Sequence, residues 1–268
     1  MTASLLLVGC GKMGGAMLQG WLADGMVERV VVIEPAGLPE VARHPAVTVA
    51  AGPDALPPGF RPDVVVLAVK PQVMDTVLPA FQGLARPGTV FLSIAAGKSL
   101  AGLARRLGTG AAVVRAMPNT PAAVGRGITV AVGNANVSRE SAMLCDRLLQ
   151  AVGEVAWIAD EAMMDAVTAV SGSGPAYVFL LTETLARAGE AQGLPADLAM
   201  RLARATVAGA GELLYRTQTG AGALREAVTS PGGTTQAALS VLMASDGLEP
   251  LLERAIAAAA GRSRELAG

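Results

Sequence analysis

Gly9-Cys10-Gly11-Lys12-Met13-Gly14 follows directly on an apolar run at 4–8 and leads into a segment of helical periodicity. Glycines at that spacing, between a strand and a helix, admit few folds, because each answers a steric demand. The first permits a tight turn, the second lets backbone approach a ligand, and the third lets a helix lie close on its strand. The helix that begins there turns unpaired N–H groups toward the loop, which suits a phosphate. In an open parallel sheet this is the mark of a dinucleotide site. Gly9, Gly11, Lys12, Met13 and Gly14 are therefore candidate cofactor contacts, with NADPH or NADH as the cofactor.

The first 160 residues repeat the strand–helix alternation. Runs at 4–8, 29–33, 47–50, 63–69, 89–94, 112–116, 128–132 and 155–158 read as strands. Their unbroken apolar character, as in Val64-Val65-Val66-Leu67, fits a parallel sheet buried on both faces. Met13, Met17, Leu18, Trp21 and Leu22 share one helical face; Pro71 opens a helix with Val73, Val77, Leu78 and Phe81 on its buried side. A further helix is predicted over 138–152. The expected fold class is α/β, with a doubly wound parallel sheet over 1–160. From 161 to 268 no strand pattern follows. Helices are predicted over 161–170, 175–192, 196–217, 222–228, 234–244 and 248–265, separated by Gly-, Pro- and Ser-containing breaks. A second, all-helical domain is expected there.

Composition narrows the function classes. Of 268 residues 52% are apolar and 16% charged, yet no stretch approaches the roughly 18–20 uninterrupted apolar residues of a membrane span. The surplus apolar surface is expected between subunits, in a homodimer or larger homo-oligomer. A net charge of −1 gives no reason to expect nucleic acid as a partner. Cys10, Cys145 and the one histidine, His44, make no metal-ligand cluster, and a disulfide is not expected. With no basic leader at the start of the chain, the expected location is cytoplasmic.

Further candidates lie where predicted strands end. Glu34, about twenty residues past the last glycine, can accept hydrogen bonds from the adenosine ribose and would repel a 2′-phosphate, which favours NADH. Two alternatives stay open: Glu34 turns outward before Pro35, or Arg43 reaches a phosphate. Ala68, Val69, Lys70 and Pro71, then Ala95, Ala96 and Gly97, then Pro118 occupy the edge where ligands bind in such sheets, and Lys70 reads equally as a solvated side chain. Asn119, between Pro118 and Pro121, is expected to offer a free amide to substrate.

The helical half holds neither lysine nor histidine; Lys12, Lys70, Lys98 and His44 all precede it. Oxidising an alcohol usually calls for such a base, whereas a protonated imine is already electrophilic and needs chiefly positioning. What this half offers is small and polar: Ser171-Gly172-Ser173-Gly174-Pro175-Ala176-Tyr177, and Thr229-Ser230-Pro231-Gly232-Gly233-Thr234-Thr235. Each precedes a predicted helix and reads either as an anion seat or as a helix cap. In the second, the hydroxyls around two glycines favour a carboxylate ligand.

Taken with Ala-Val-Lys-Pro at 68–71 and Met-Pro-Asn-Thr-Pro at 117–121, these segments resemble the pyrroline-5-carboxylate reductase family along essentially the whole chain. The resemblance implies a Rossmann-like N-terminal domain, an all-helical dimerisation domain, and reduction of 1-pyrroline-5-carboxylate to L-proline by NAD(P)H, the last step of proline biosynthesis. It also implies that Ser230, Gly232, Gly233, Thr234 and Thr235 hold substrate, with Thr235 the catalytic hydroxyl at the ring nitrogen. One departure stands out: Gly52-Pro53-Asp54 replaces an asparagine that relatives often carry after the third strand. Three rival readings remain at this stage. They are a β-hydroxyacid or 6-phosphogluconate-type dehydrogenase, disfavoured because its helical-domain lysine is missing here, another cyclic imine reductase, and a non-catalytic NAD(P)-sensing protein.

Overall fold

The computed structural model describes residues 3–35 and 44–267. Its strands are β1 (Ala3–Val8), β2 (Val27–Ile33), β3 (Val47–Ala50), β4 (Val64–Leu67), β5 (Val90–Ser93), β6 (Ala112–Met117), β7 (Gly127–Gly133) and β8 (Gly153–Trp157). Among the described residues they form one sheet in the order β3-β2-β1-β4-β5-β6-β7-β8. The chain runs outward from β1 to one edge, then returns to β4 on its other side. Helices cover both faces. Leu5 and Leu7 of β1 and Val64 and Val66 of β4 point into one core with Met17, Leu18, Trp21 and Leu148. Leu6, Val8, Val65 and Leu67 point into the other, with Met74, Phe81, Leu103 and Met164. Every second residue is thus buried on each side, which is why the strands read as unbroken apolar runs.

On the first face lie α1 (Lys12–Ala23) and α4 (Arg139–Gln150), joined where the buried Trp21 Nε1 donates to the Leu148 carbonyl at 2.7 Å. On the second lie α2 (Pro71–Val77) and α3 (Leu100–Leu107). The expected α2 face is partly wrong. Val73 is exposed and Met74 takes the buried place, because Met74, four residues before Leu78 and seven before Phe81, shares their face. Helix α3 was not predicted, although Ser99 caps it, accepting from Gly102 N–H at 3.1 Å, and Leu100, Leu103 and Leu107 share its buried face.

Two strands depart from the all-parallel expectation: β7 runs antiparallel to β6, and β8 runs parallel to β7. The connection over 118–126 is shorter than the roughly dozen residues a parallel crossover requires. It is a 3-10 turn, Thr120–Val124, closed by Gly125 at φ 66°. Asn119 holds this turn: its Oδ1 accepts from Ile128 N–H at 3.0 Å and its Nδ2 lies 3.5 Å from Ser171 Oγ. The free amide expected at Asn119 is therefore engaged in structure.

Two compact units emerge. The first runs through Gly172 and takes back the chain from Ala260; the second is Ser173–Ala259. By compactness the first unit extends to Gly172, because the short α5 (Met164–Val167) and the π-turn Thr168–Gly172 bury Met164 and Ala169. The second unit contains α6 (Gly174–Ala191), α7 (Ala196–Arg216), α8 (Ala221–Ala227), α9 (Thr234–Leu242) and most of α10 (Leu248–Ala267). Its buried residues, among those described, are Ala186, Ala199 and Ala203, while Phe179, Leu181, Leu213, Tyr215 and Val241 are exposed. No described helix is long and apolar enough to cross a membrane.

A charged clamp ties the first unit together. Glu161 Oε1 accepts from the buried Arg115 guanidinium at 2.7 Å and from Leu100 N–H, at the start of α3, at 2.8 Å. Removing one partner of such a pair strands the other without compensation. Glu161→Ala is expected to cost about 3 kcal/mol of stability, near the lower bound for a buried pair because Glu161 is partly solvated. Urea unfolding measures it, and a loss within experimental error would remove the clamp from the account.

Candidate active site

Because β2, β1, β4, β5 and β6 are parallel neighbours, their C-terminal ends share one edge of the sheet. Glu34, the glycine loop, the 68–71 segment, the 95–97 segment and Pro118-Asn119 follow those strands in spatial order. The glycine loop sits at β1, where the strand order reverses; ligands of doubly wound sheets bind at such a point.

The three glycines of the loop meet different surroundings. Gly9 adopts φ 92°, and a Cβ there would lie 2.8 Å from the backbone of Ala68. A Cβ on Gly14 would stand 2.5 Å from the Gly9 carbonyl oxygen, so α1 reaches this close to the loop only without one. Gly11 differs. It is exposed, and nothing lies within 4 Å of where its Cβ would be. That open space, flanked by the first N–H groups of α1, fits a pyrophosphate. Helix α1 has no acidic residue in its first turn and no side-chain cap, so the Lys12, Met13 and Gly14 N–H groups and the positive helix end remain for an anion.

The neighbouring segments are small and close. Ala68 N–H donates to the Val8 carbonyl at 2.8 Å, binding the β4 end to the loop. Val69 and Pro71 are half-buried and Lys70 is exposed at the start of α2. Ala95 is buried, Ala96 exposed, and Gly97 turns at φ 70° beneath the backbone of Leu266 in the last turns of α10. Pro118 is buried. Lys98 pairs with Asp75 at 3.2 Å and draws that carboxyl below its usual range, chiefly by this hydrogen bond. Asp54 lies exposed in a 3-10 turn opened by Pro53. Arg43 is outside the described residues.

Glu34 Oε2 accepts from Cys10 N–H at 2.7 Å, so it turns in toward the loop after all. Burial, then the charge of Glu34, pushes the Cys10 thiol up. Cys145, deep in the first core, is pushed up to about 12, chiefly by burial. Burial thus disfavours the thiolate at both positions.

In the second unit, Gly232 (φ 71°) and Gly233 lead into α9. Their own N–H groups are taken: Gly232 donates to Gln236 Oε1 and Gly233 to the Ser230 carbonyl at 3.0 Å. The donors this segment presents are the first N–H groups of α9, from Thr234, Thr235 and Gln236, again with no acidic residue in the first turn and no side-chain cap. Ser230 and Thr234 are exposed and Thr235 is half-buried. The sequence reading missed Gln236, whose place four residues after Gly232 lets it reach back and brace the turn. The other serine-rich segment is divided: Ser171 and Gly172 lie in the π-turn, while Ser173 precedes α6 without a side-chain cap bond.

Comparison with known proteins joins these features. Residues 161–266 match a family model described as pyrroline-5-carboxylate reductase dimerisation, and residues 4–97 match one described as NADP oxidoreductase, coenzyme F420-dependent. Pyrroline-5-carboxylate reductase of Pseudomonas aeruginosa is 40% identical over 99% of this chain and 97% of its own length. The structure of a pyrroline-5-carboxylate reductase from Coxiella burnetii matches with a TM-score of 0.92 at 32% identity, covering 100% of both chains. A pyrroline carboxylate reductase from Plasmodium falciparum, solved with NADP bound, matches at 0.83 and 27% identity over 99% of this chain and 98% of that one. Identity at this level along the full length, on a shared fold, settles the assignment: the chain belongs to the pyrroline-5-carboxylate reductase family and is an NAD(P)H-dependent oxidoreductase.

Proposed function

We propose how the residues above divide the work of this chain's reaction, in which 1-pyrroline-5-carboxylate, NAD(P)H and a proton give L-proline and NAD(P)+, the last step of proline biosynthesis. When bound, the cofactor supplies the hydride that the imine carbon accepts. Lys12, Met13 and Gly14 N–H groups hold its pyrophosphate, with Gly9, Gly11 and Lys70 beside them; Ala68, Val69, Pro71, Ala95, Ala96, Gly97 and Pro118 line the way toward the nicotinamide end. The helical half, 161–268, seats the substrate. Its carboxylate lies on the first N–H groups of α9, with Ser230, Gly232, Gly233 and Thr234 shaping the seat. The Thr235 hydroxyl donates to the ring nitrogen, orienting the imine, and relays to it a proton that the hydroxyl regains from water as the hydride arrives. Asn119 acts indirectly, by fixing the turn after β6.

The observation that carries this reading is the start of α9: N–H groups without partners inside the helix and a half-buried hydroxyl at Thr235. An anion seat beside a proton donor is what a carboxylate-bearing cyclic imine requires. The absence of lysine and histidine from this half is no obstacle, since reducing an imine takes up a proton and needs no base. The same unit explains the assembly. With three alanines as its buried core and large apolar side chains outside, its helices complete their packing against a second copy, and dimers associate further into a larger homo-oligomer. The chain works in the cytoplasm, a reading supported by its two buried free thiols.

Turnover is tested by following oxidation of NADH or NADPH with pyrroline-5-carboxylate; no reaction with either overturns the proposal. Thr235→Ala is expected to lower kcat by roughly 10²-fold or more while leaving cofactor affinity nearly intact. Unchanged turnover in that variant removes Thr235 from the mechanism. Gly11→Ala separates ligand space from packing: thermal stability should hold, since the added methyl meets nothing, while NAD(P)H affinity falls at least about tenfold. For the assembly, sedimentation should show no species smaller than a dimer at micromolar concentration, and Tm should rise with protein concentration; a stable monomer contradicts the interface.

A further inference from the structure

We propose that Glu34 makes this chain an NADH-preferring reductase that discriminates against NADPH, and that its hydrogen bond to the glycine loop fixes it in that role. The inference rests on the dinucleotide reading of the loop. Two consecutive residues at the end of β2 grip two consecutive N–H groups of the loop. The Ile33 carbonyl accepts from Gly9 N–H at 2.8 Å, and Glu34 Oε2 accepts from Cys10 N–H at 2.7 Å. Pro35 follows, which disfavours the helical region for Glu34 and narrows the conformations open to its backbone. The carboxylate is thereby held between the ends of β1 and β2. In sheets of this strand order that position belongs to the adenosine ribose.

What the carboxylate does there follows from charge. The 2′- and 3′-hydroxyls of NADH can donate hydrogen bonds to it. The 2′-phosphate of NADPH carries close to two negative charges at neutral pH and offers no such proton, so it meets repulsion in a half-buried setting. The loop feels the same potential, since the charge of Glu34 helps to raise the Cys10 thiol. A purely structural clasp would need only an acceptor for Cys10 N–H. Glutamine provides one of the same shape without the charge, so Glu34→Gln separates the two roles.

The test uses the intact purified protein without substrate. NADH and NADPH are titrated by nicotinamide fluorescence, and ADP-ribose and its 2′-phosphate by calorimetry. The unphosphorylated member of each pair should bind at least about tenfold tighter at low salt, with a gap that narrows as salt screens the repulsion. Glu34→Gln should close most of the gap, mainly by tightening the phosphorylated ligands. Equal affinities in the unmodified protein, tighter binding of NADPH, or an unchanged ratio in Glu34→Gln each overturn the proposal. Those results leave the reductase reading intact as long as pyrroline-5-carboxylate is turned over with either cofactor. If neither nucleotide binds, the dinucleotide reading and this inference fall together.

Discussion

The site depends first on a contact between three backbones. Gly14 in the first turn of α1 lies on the carbonyl of Gly9, and Gly9 lies on the backbone of Ala68 beyond β4. With no side chain at two of these points and a methyl at the third, the helix start, the loop and the neighbouring strand end close to van der Waals distance. A helix held that near points its unpaired N–H groups over the place where the strand order reverses. Much of the first face follows from the same placement. Once α1 is set, Trp21 reaches the Leu148 carbonyl and fixes α4, and α4 in turn backs β8.

The anion-binding logic recurs in the second unit with different parts. Helices α1 and α9 both begin after glycine, lack a side-chain cap and carry no acidic residue in the first turn. A helix usually gains from an N-cap or a carboxylate there, and its absence leaves donors for a ligand. The two starts differ in what stands beside them. At α1 Gly11 is bare, which suits a pyrophosphate needing only backbone. At α9 the added group is the Thr235 hydroxyl, which suits a ligand with a basic nitrogen next to its carboxylate. The chemistry attributed to each half follows from that difference.

Much of this was legible in the sequence, and the exceptions have physical causes. Central strands were readable because burial on both faces leaves nothing polar in Val64-Val65-Val66-Leu67. The helices of the second unit were readable because Gly and Pro punctuate them. The direction of β7 was missed because apolar runs carry no sign of direction; only the short connection over 118–126 does. Helix α3 escaped because its eight residues form just two turns. Asn119 was misjudged since two flanking prolines suggest a displayed side chain, whereas its Oδ1 bonds to Ile128 N–H, which sequence does not reveal. The turns at 9–14 and 229–235 were legible for the opposite reason: glycines set each one's backbone locally, and a helix follows without a side-chain cap.

The path of the chain adds a constraint that sequence texture conceals. The helical unit leaves the first unit after Gly172, and α10 returns to it at Ala260. The return is specific. Ser263 Oγ, nearly fully buried, donates to Asp165 Oδ1 at 2.6 Å, and the Leu266 backbone packs over Gly97, whose φ of 70° excludes most side chains. The 95–97 segment, assigned to the nicotinamide end of the cofactor, is thus covered by the last turns of the chain. The chain thus leaves the first unit at the end of the π-turn Thr168–Gly172 and re-enters it within α10. Continuous helical periodicity from 161 onward shows none of this, because returning turns look like any other alanine-rich helix until Ser263 and Gly97 are given their partners.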